Sequence, residues 1–294
     1  MSREYGIRPP RYRLPDATQV GRVRLQVADL VRSVDYYQEV IGLEVIRRDT
    51  ESATLGPYHA ETALVELQER RGARPVPPHG RFGLYHFALL VPDRADLGRF
   101  AAHLADVDAR VASADHLVSE ALYLWDPDGL GIEVYADRPP SDWQVRGTEL
   151  AMATEPLDLR SLIRAAHGST WKGLPRGTIM GHVHLHVGSL DRAEALYHAA
   201  LGFDKVVWSF PGALFLSAGG YHHHLGTNTW VQGASPAGDD EARLLEWELL
   251  LPAADDVAAA AESLIKSGCG LYQDRSDPIL SDDWGTRLRL TTRS

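Results

Sequence analysis

Glu133 sits in the run GIEVY, flanked by Ile132, Val134 and Tyr135. An ionised carboxylate among apolar neighbours is costly to bury unless something positive meets it, and a metal ion is the simplest such partner. Two histidines stand at the heads of β-like runs, His86 in HFALLV and His182 in HVHLHV. Two imidazoles and one carboxylate form the facial donor set that holds non-haem Fe(II) with three coordination positions open, and this mixture of borderline and hard ligands suits Fe(II) or Mn(II). The run HVHLHV puts His182, His184 and His186 on one strand face, because strand side chains alternate. Tyr221-His222-His223-His224 follows Gly219-Gly220. A neutral imidazole beside the centre would serve as a proton shuttle, which its ordinary pKa of about 6.5 allows. Counting from Gly220 makes that shuttle His224; counting from Gly219 makes it His223.

The elements that must position these groups recur along the chain. Four β-like runs begin at Arg22, His86, His182 and Glu246, spaced 64, 96 and 64 residues apart. The two halves are offset by 160, so Leu30, Tyr37 and Gly42 map onto Leu190, Tyr197 and Gly202. Both copies of that helix begin at a capping residue, Asp29 or Ser189, and end at a glycine. Each 64-residue unit has the form strand, helix, three strands, with the turn Asp126-Pro127-Asp128-Gly129 joining the last two strands of unit two. The expected fold is α+β: four βαβββ modules paired into two cup-shaped mixed sheets. Residues 20–137 hold modules one and two, 138–178 form a linker marked by Pro139-Pro140, and 179–294 hold modules three and four. Equivalent positions face each cup: the head of the first strand, and a residue four past the turn glycine, which selects Glu133, His224 and Arg289, with Glu66 as the match in unit one. Modules one and four then supply Arg22, Glu66, Glu246 and Arg289, two ion pairs and no metal site. The metal cup is therefore expected between modules two and three; sequential pairing would separate His86 and Glu133 from His182.

Composition bounds the rest. A chain of 294 residues suits two domains of about 150. A net charge of −10 and a pI near 5.7 argue against nucleic acid or an anionic membrane as main partner. The single cysteine, Cys269, excludes an intramolecular disulfide and fits a reducing cytosol. The start MSREYGIRPPRYRLPD has no apolar core of a signal peptide, and no apolar run approaches the ~20 residues that span a bilayer. A cytoplasmic protein is expected, and exposed sheet edges predict a homo-oligomer.

The βαβββ repeats with a first-strand His and a last-strand Glu resemble the vicinal oxygen chelate superfamily (glyoxalase, bleomycin resistance, extradiol dioxygenase). Within it, ADHLVSEALYLWDPDGLGIEVYADRP, preceded by GLYHFALLVPDR and followed by GHVHLHV and SAGGYHHHLGTNTW, is similar to the catechol 2,3-dioxygenase-type proteins of aromatic catabolism. That resemblance implies Fe(II) held by His86, Glu133 and His182, with a small aromatic diol and O2 as substrates. It also implies a second-sphere histidine, matched by His116 in DHLVS, a tyrosine donating to a substrate oxygen, matched by Tyr123, and an acid/base, matched by His224 or a neighbour. Extradiol enzymes build their site from the two consecutive units of the C-terminal half, whereas here unit four lacks both ligands and unit two has them. Rival readings are a glyoxalase-like lyase or isomerase, a non-catalytic binding protein, and a ring-cleaver acting on hydroquinones. Trp143, Trp208, Phe210 and Trp230 are candidate walls of the cup.

Overall fold

The alternation within the four leading strands decides how the layers stack. In the computed structural model, which describes residues 5–168, 170–274 and 277–293, these strands are β1 (Gln19–Val27), β5 (Gly83–Leu90), β11 (Ile179–His186) and β15 (Arg243–Leu251). Val23, Leu25, Phe87, Leu89, Val183, Leu185, Trp247 and Leu249 point one way into a single buried core. Their neighbours in sequence, among them Arg22, Arg24, His86, His182, Glu246 and Glu248, point the other way. The two sheets thus lie back to back on a shared apolar layer and carry their polar side chains on outward faces.

Module one continues with α1 (Leu30–Tyr36), β2 (Glu44–Arg48), β3 (Ser52–Gly56) and β4 (Val65–Glu69); module two with α2 (Arg94–Asp106), β6 (Ala112–Asp115), β7 (Ser119–Trp125) and β8 (Gly131–Asp137). The linker contributes a hairpin, β9 (Val145–Arg146) and β10 (Glu149–Leu150), and α3 (Leu159–Ala165), which packs on α2. Module three has α4 (Leu190–Ala193), β12 (Asp204–Val207), β13 (Ala213–Ser217) and β14 (Leu225–Asn228); module four has α5 (Ala254–Lys266), β16 (Leu271–Asp274), β17 (Asp277–Ser281) and β18 (Arg287–Thr292). One eight-stranded sheet runs β12-β13-β14-β11-β5-β8-β7-β6 and the other β16-β17-β18-β15-β1-β4-β3-β2. Each sheet therefore joins one module from each half of the chain, two with three and one with four. Its first strands meet antiparallel at the centre and each lies parallel to the last strand of its own module.

The repeat extends to details of packing. Helices α1 and α4 are capped by Asp29 and Ser189 and both widen into π-helical turns, Tyr37–Ile41 and Glu194–Ala200. Each π-turn carries a buried tyrosine whose hydroxyl donates to a turn-forming aspartate of the next module: Tyr37 to Asp126 at 3.4 Å and Tyr197 to Asp282 at 2.8 Å. Asp126 in turn accepts the backbone N–H groups of Asp128 and Leu130, and Asp282 those of Trp284 and Thr286. These bonds shape the sharp turn that Gly129 completes at φ +84°.

Burial, opposed by those hydrogen bonds, pushes the Asp126 carboxyl up to about 7. The folded chain then holds a proton that the unfolded chain has already released above about pH 4, so stability falls as pH rises from about 4 to about 7. Asp126→Asn keeps the acceptor without the charge. Its melting temperature should fall less than that of the parent over this window; parallel curves would contradict the assignment.

Candidate metal centre

The register of the second sheet brings three distant side chains to one point. On the antiparallel seam His86 faces His184 and Ala88 faces His182, while the parallel pairing of β5 with β8 places Glu133 beside Ala88. Local dyad symmetry centred on Phe87 and Val183 sets His86 and His182 diagonally across the seam on the cup face. Glu133 Oε2 lies 3.0 Å from His86 Nε2 and 3.1 Å from His182 Nε2, and the two nitrogens are 3.3 Å apart. Donors about 2.0–2.2 Å from a first-row cation and at right angles to one another stand about 2.8–3.1 Å apart. The triangle fits one ion bound on a face, without movement of the backbone.

Charge balance points the same way. His86, Glu133 and His182 are 4, 2 and 2 % exposed, and the cavity of about 250 Å³ they border has no lysine or arginine in its lining among the described residues. Burial opposes ionisation of Glu133, yet the imidazoles beside it, His182 foremost, hold its carboxyl well below the usual range. In the other sheet the matching carboxylates find guanidinium partners: Arg22 meets Glu66 at 2.7 Å and Arg289 meets Glu246 at 2.7 Å. The cup of modules one and four meets these carboxylates with its own guanidinium groups. That of modules two and three keeps a buried carboxylate and two nitrogen donors close enough together to hold a cation.

Gly226 leaves the candidate site with three protein donors where the repeat would offer a fourth. With Ala88 equivalent to His184, the pairing of His184 with Gly226 makes Gly226 the module-three counterpart of Glu133. The expectation that His224 fills this place is incorrect, because Gly226 lies six positions past Gly220 whereas Glu133 lies four past Gly129. A Cβ on Gly226 would come within 3.0 Å of the His184 ring, so this ring occupies the quadrant a fourth ligand would need. Asn228 locks it. The backbone N–H of Trp230 donates to Asn228 Oδ1, which turns Nδ2 toward His184 Nε2 at 3.0 Å. Nε2 accepts, leaving a neutral His184 protonated on Nδ1, and burial together with His86 keeps its pKa well below the ordinary value.

A family profile described as Glyoxalase/Bleomycin resistance protein/Dioxygenase superfamily matches residues 19–134. A catechol-2,3-dioxygenase of Bacillus subtilis (strain 168) is 40% identical over 269 residues, covering 90% of this chain and 94% of that protein. The chain belongs to this superfamily. Its fold is shared more widely. A Bacillus subtilis structure with a provisional dioxygenase assignment aligns at TM-score 0.66 and 13% identity over 96% of this chain and 87% of that one. Glyoxalase I from Zea mays aligns at 0.55 and 19% over 93% and 92%.

The remaining polar groups of this superfamily member divide by position. His116 and Tyr123 line the cavity, 2.6 Å apart. His116 Nδ1 is 2.7 Å from the Ala153 carbonyl, which only accepts, so Nδ1 carries a proton. His223 also lines the cavity, its ring centroid 4.1 Å from that of His182. His224 does not: its Nδ1 accepts from the Ala218 N–H, and its ring packs on Phe203 and Tyr221 away from the cavity. The three histidines precede β14 in an irregular segment, so strand alternation does not govern them. Phe210 and Trp230 are walls, joined by Phe215, Met152 and Tyr85; Trp143 and Trp208 lie elsewhere. Replacing His86, Glu133 or His182 by alanine should weaken Fe(II) or Mn(II) binding by more than the ~10–100-fold that loss of a mere supporting partner causes. Anaerobic equilibrium dialysis checks this, and unchanged affinity in any one variant removes that residue from the donor set.

Proposed function

We propose that the protein is an extradiol ring-cleaving dioxygenase that uses Fe(II) and O2 on catechol or a substituted catechol. One observation carries this reading over the alternatives: Glu133, the sole carboxylate lining the cavity among the described residues, is committed to the cation site, and the remaining titratable groups there are imidazoles and phenols. A glyoxalase-like lyase or isomerase would need a carboxylate base as well as a Lewis acid, and at the place equivalent to Glu133 the chain has Gly226 under the His184 ring. The 40% identity to a catechol-2,3-dioxygenase supports the same substrate class.

Fe(II) held by His86, Glu133 and His182 would supply positive charge that eases loss of a phenolic proton and the redox chemistry that O2 requires. The chain does the rest. Phe210, Phe215 and Trp230 form an aromatic wall that takes a flat ring and excludes water. Tyr123, held 2.6 Å from His116, places its hydroxyl on the cavity wall, where it exchanges a hydrogen bond with a substrate oxygen. His223 takes a proton from the diol and returns it later in the cycle, in its neutral form because burial, then His182 and His222, press its pKa well below the ordinary value.

Anaerobically reconstituted protein should consume one O2 per catechol cleaved, followed at an oxygen electrode against a panel of catechols and hydroquinones. O2 uptake with hydroquinones alone would replace the substrate class, and none with any diol would defeat the proposal. His223→Phe should keep full iron and lose turnover by roughly 10²–10⁴-fold, the contribution of a general acid/base. Undiminished turnover would exclude His223 from that role.

A further inference from the structure

Behind His223, away from the cavity, lies a second imidazole and then a carboxylate. His223 Nδ1 is 2.7 Å from His222 Nδ1, and His222 Nε2 is 2.8 Å from Asp137 Oδ1. His222 is fully buried, whereas the Asp137 side chain is 27% exposed. Asp137 stands at the last position of β8, four residues beyond Glu133, so the strand that supplies the carboxylate donor also supplies this one. Its Oδ1 takes a further hydrogen bond from the Tyr221 hydroxyl at 3.2 Å, and that hydroxyl is 2.6 Å from the Tyr135 hydroxyl. Trp143, from the linker, covers the His222 ring edge-on at 5.4 Å. None of these groups touches the cavity.

The direction of these bonds follows from donor and acceptor chemistry. A carboxylate only accepts, so His222 carries its proton on Nε2. Nδ1 of a neutral His222 is then a lone pair, and the short contact with His223 requires the proton on His223 Nδ1. That leaves His223 Nε2, the other ring nitrogen of a residue that lines the cavity, without a proton. We propose that Asp137 and His222 are positioning residues that fix the tautomer and rotation of His223, so that it presents a bare Nε2 to the substrate. This rests on the reading of His223 as the acid/base. The logic is that of any orienting carboxylate behind a catalytic imidazole, lengthened by one ring. Sequence position hid it, because Asp137 and His222 are 85 residues apart.

Nitrogen NMR of the ¹⁵N-histidine-labelled full chain reads the tautomer without any turnover. His223 should show a protonated Nδ1 and an unprotonated Nε2, and His222 the reverse. His222→Leu should abolish the preference at His223 and lower kcat for diol cleavage about 10- to 100-fold, part of the ~10²–10⁴-fold an acid/base contributes. Metal content and KM should not change. His222→Asn, whose amide oxygen can stand near the place of Nδ1 as an acceptor, should recover most of both losses. A protonated Nε2 on His223 in the parent chain overturns the proposal, as does a His222→Leu variant with unchanged tautomer and kcat. If the NMR result holds while His223→Phe keeps full turnover, the positioning stands and the acid/base reading is what fails.

Discussion

Everything at the centre depends on the antiparallel seam between β5 and β11. Because Phe87 pairs with Val183, His86 and His182 come to rest on one face, diagonally across the local dyad. The parallel partner β8 then needs only to place Glu133 beside Ala88 to complete a triangle of donors with sides of 3.0 to 3.3 Å. A slip of one residue along the seam would turn both imidazoles into the apolar layer between the sheets. The register is held from the other side by that same layer, where Phe87, Leu89, Val183 and Leu185 are fully buried. Core packing and site geometry are thus two faces of one ladder.

The two cups show what the same frame does with different charges. Position for position, Arg22, Glu66, Glu246 and Arg289 stand where His86, Glu133, His182 and Gly226 stand in the other sheet. Guanidinium groups are permanently charged and reach carboxylates in a planar fork, so this cup closes on itself through Arg22 with Glu66 and Glu248, and Arg289 with Glu246, Asp274 and Asp277. Imidazoles carry no fixed charge, so the carboxylate in the other cup has ring nitrogens beside it and no guanidinium. A pair of modules becomes either an ion-pair cluster or a cluster of donors that could hold a cation, according to which side chains head its leading strands.

Much of this was legible before any coordinates, and the reasons differ by residue. The 64-residue spacing of strand heads marks Arg22, His86, His182 and Glu246 as equivalents, since repeats of one supersecondary unit keep their length. The shared face of His182, His184 and His186 in HVHLHV follows from alternation alone. His224 was misplaced because a turn glycine is a poor ruler: Gly220 is followed by an irregular stretch, and β14 begins only at Leu225. Gly226 was invisible for the opposite reason, its importance being the absence of a side chain beneath His184. The orientation of Asn228, the contact of Tyr123 with His116, and the Asp137–His222–His223 chain depend on which groups each side chain meets in space, and spacing carries no trace of that.

The central claim is a single cation bound by three residues from two halves of the chain. Crystals grown and soaked anaerobically with Fe(II), with anomalous differences collected on both sides of the iron absorption edge, test it most directly. The account predicts one peak per chain, about 2.0–2.3 Å from His86 Nε2, His182 Nε2 and a Glu133 oxygen, with Gly226 and His184 contributing no bond. A peak lying elsewhere, or one that Glu133 does not reach, would contradict it.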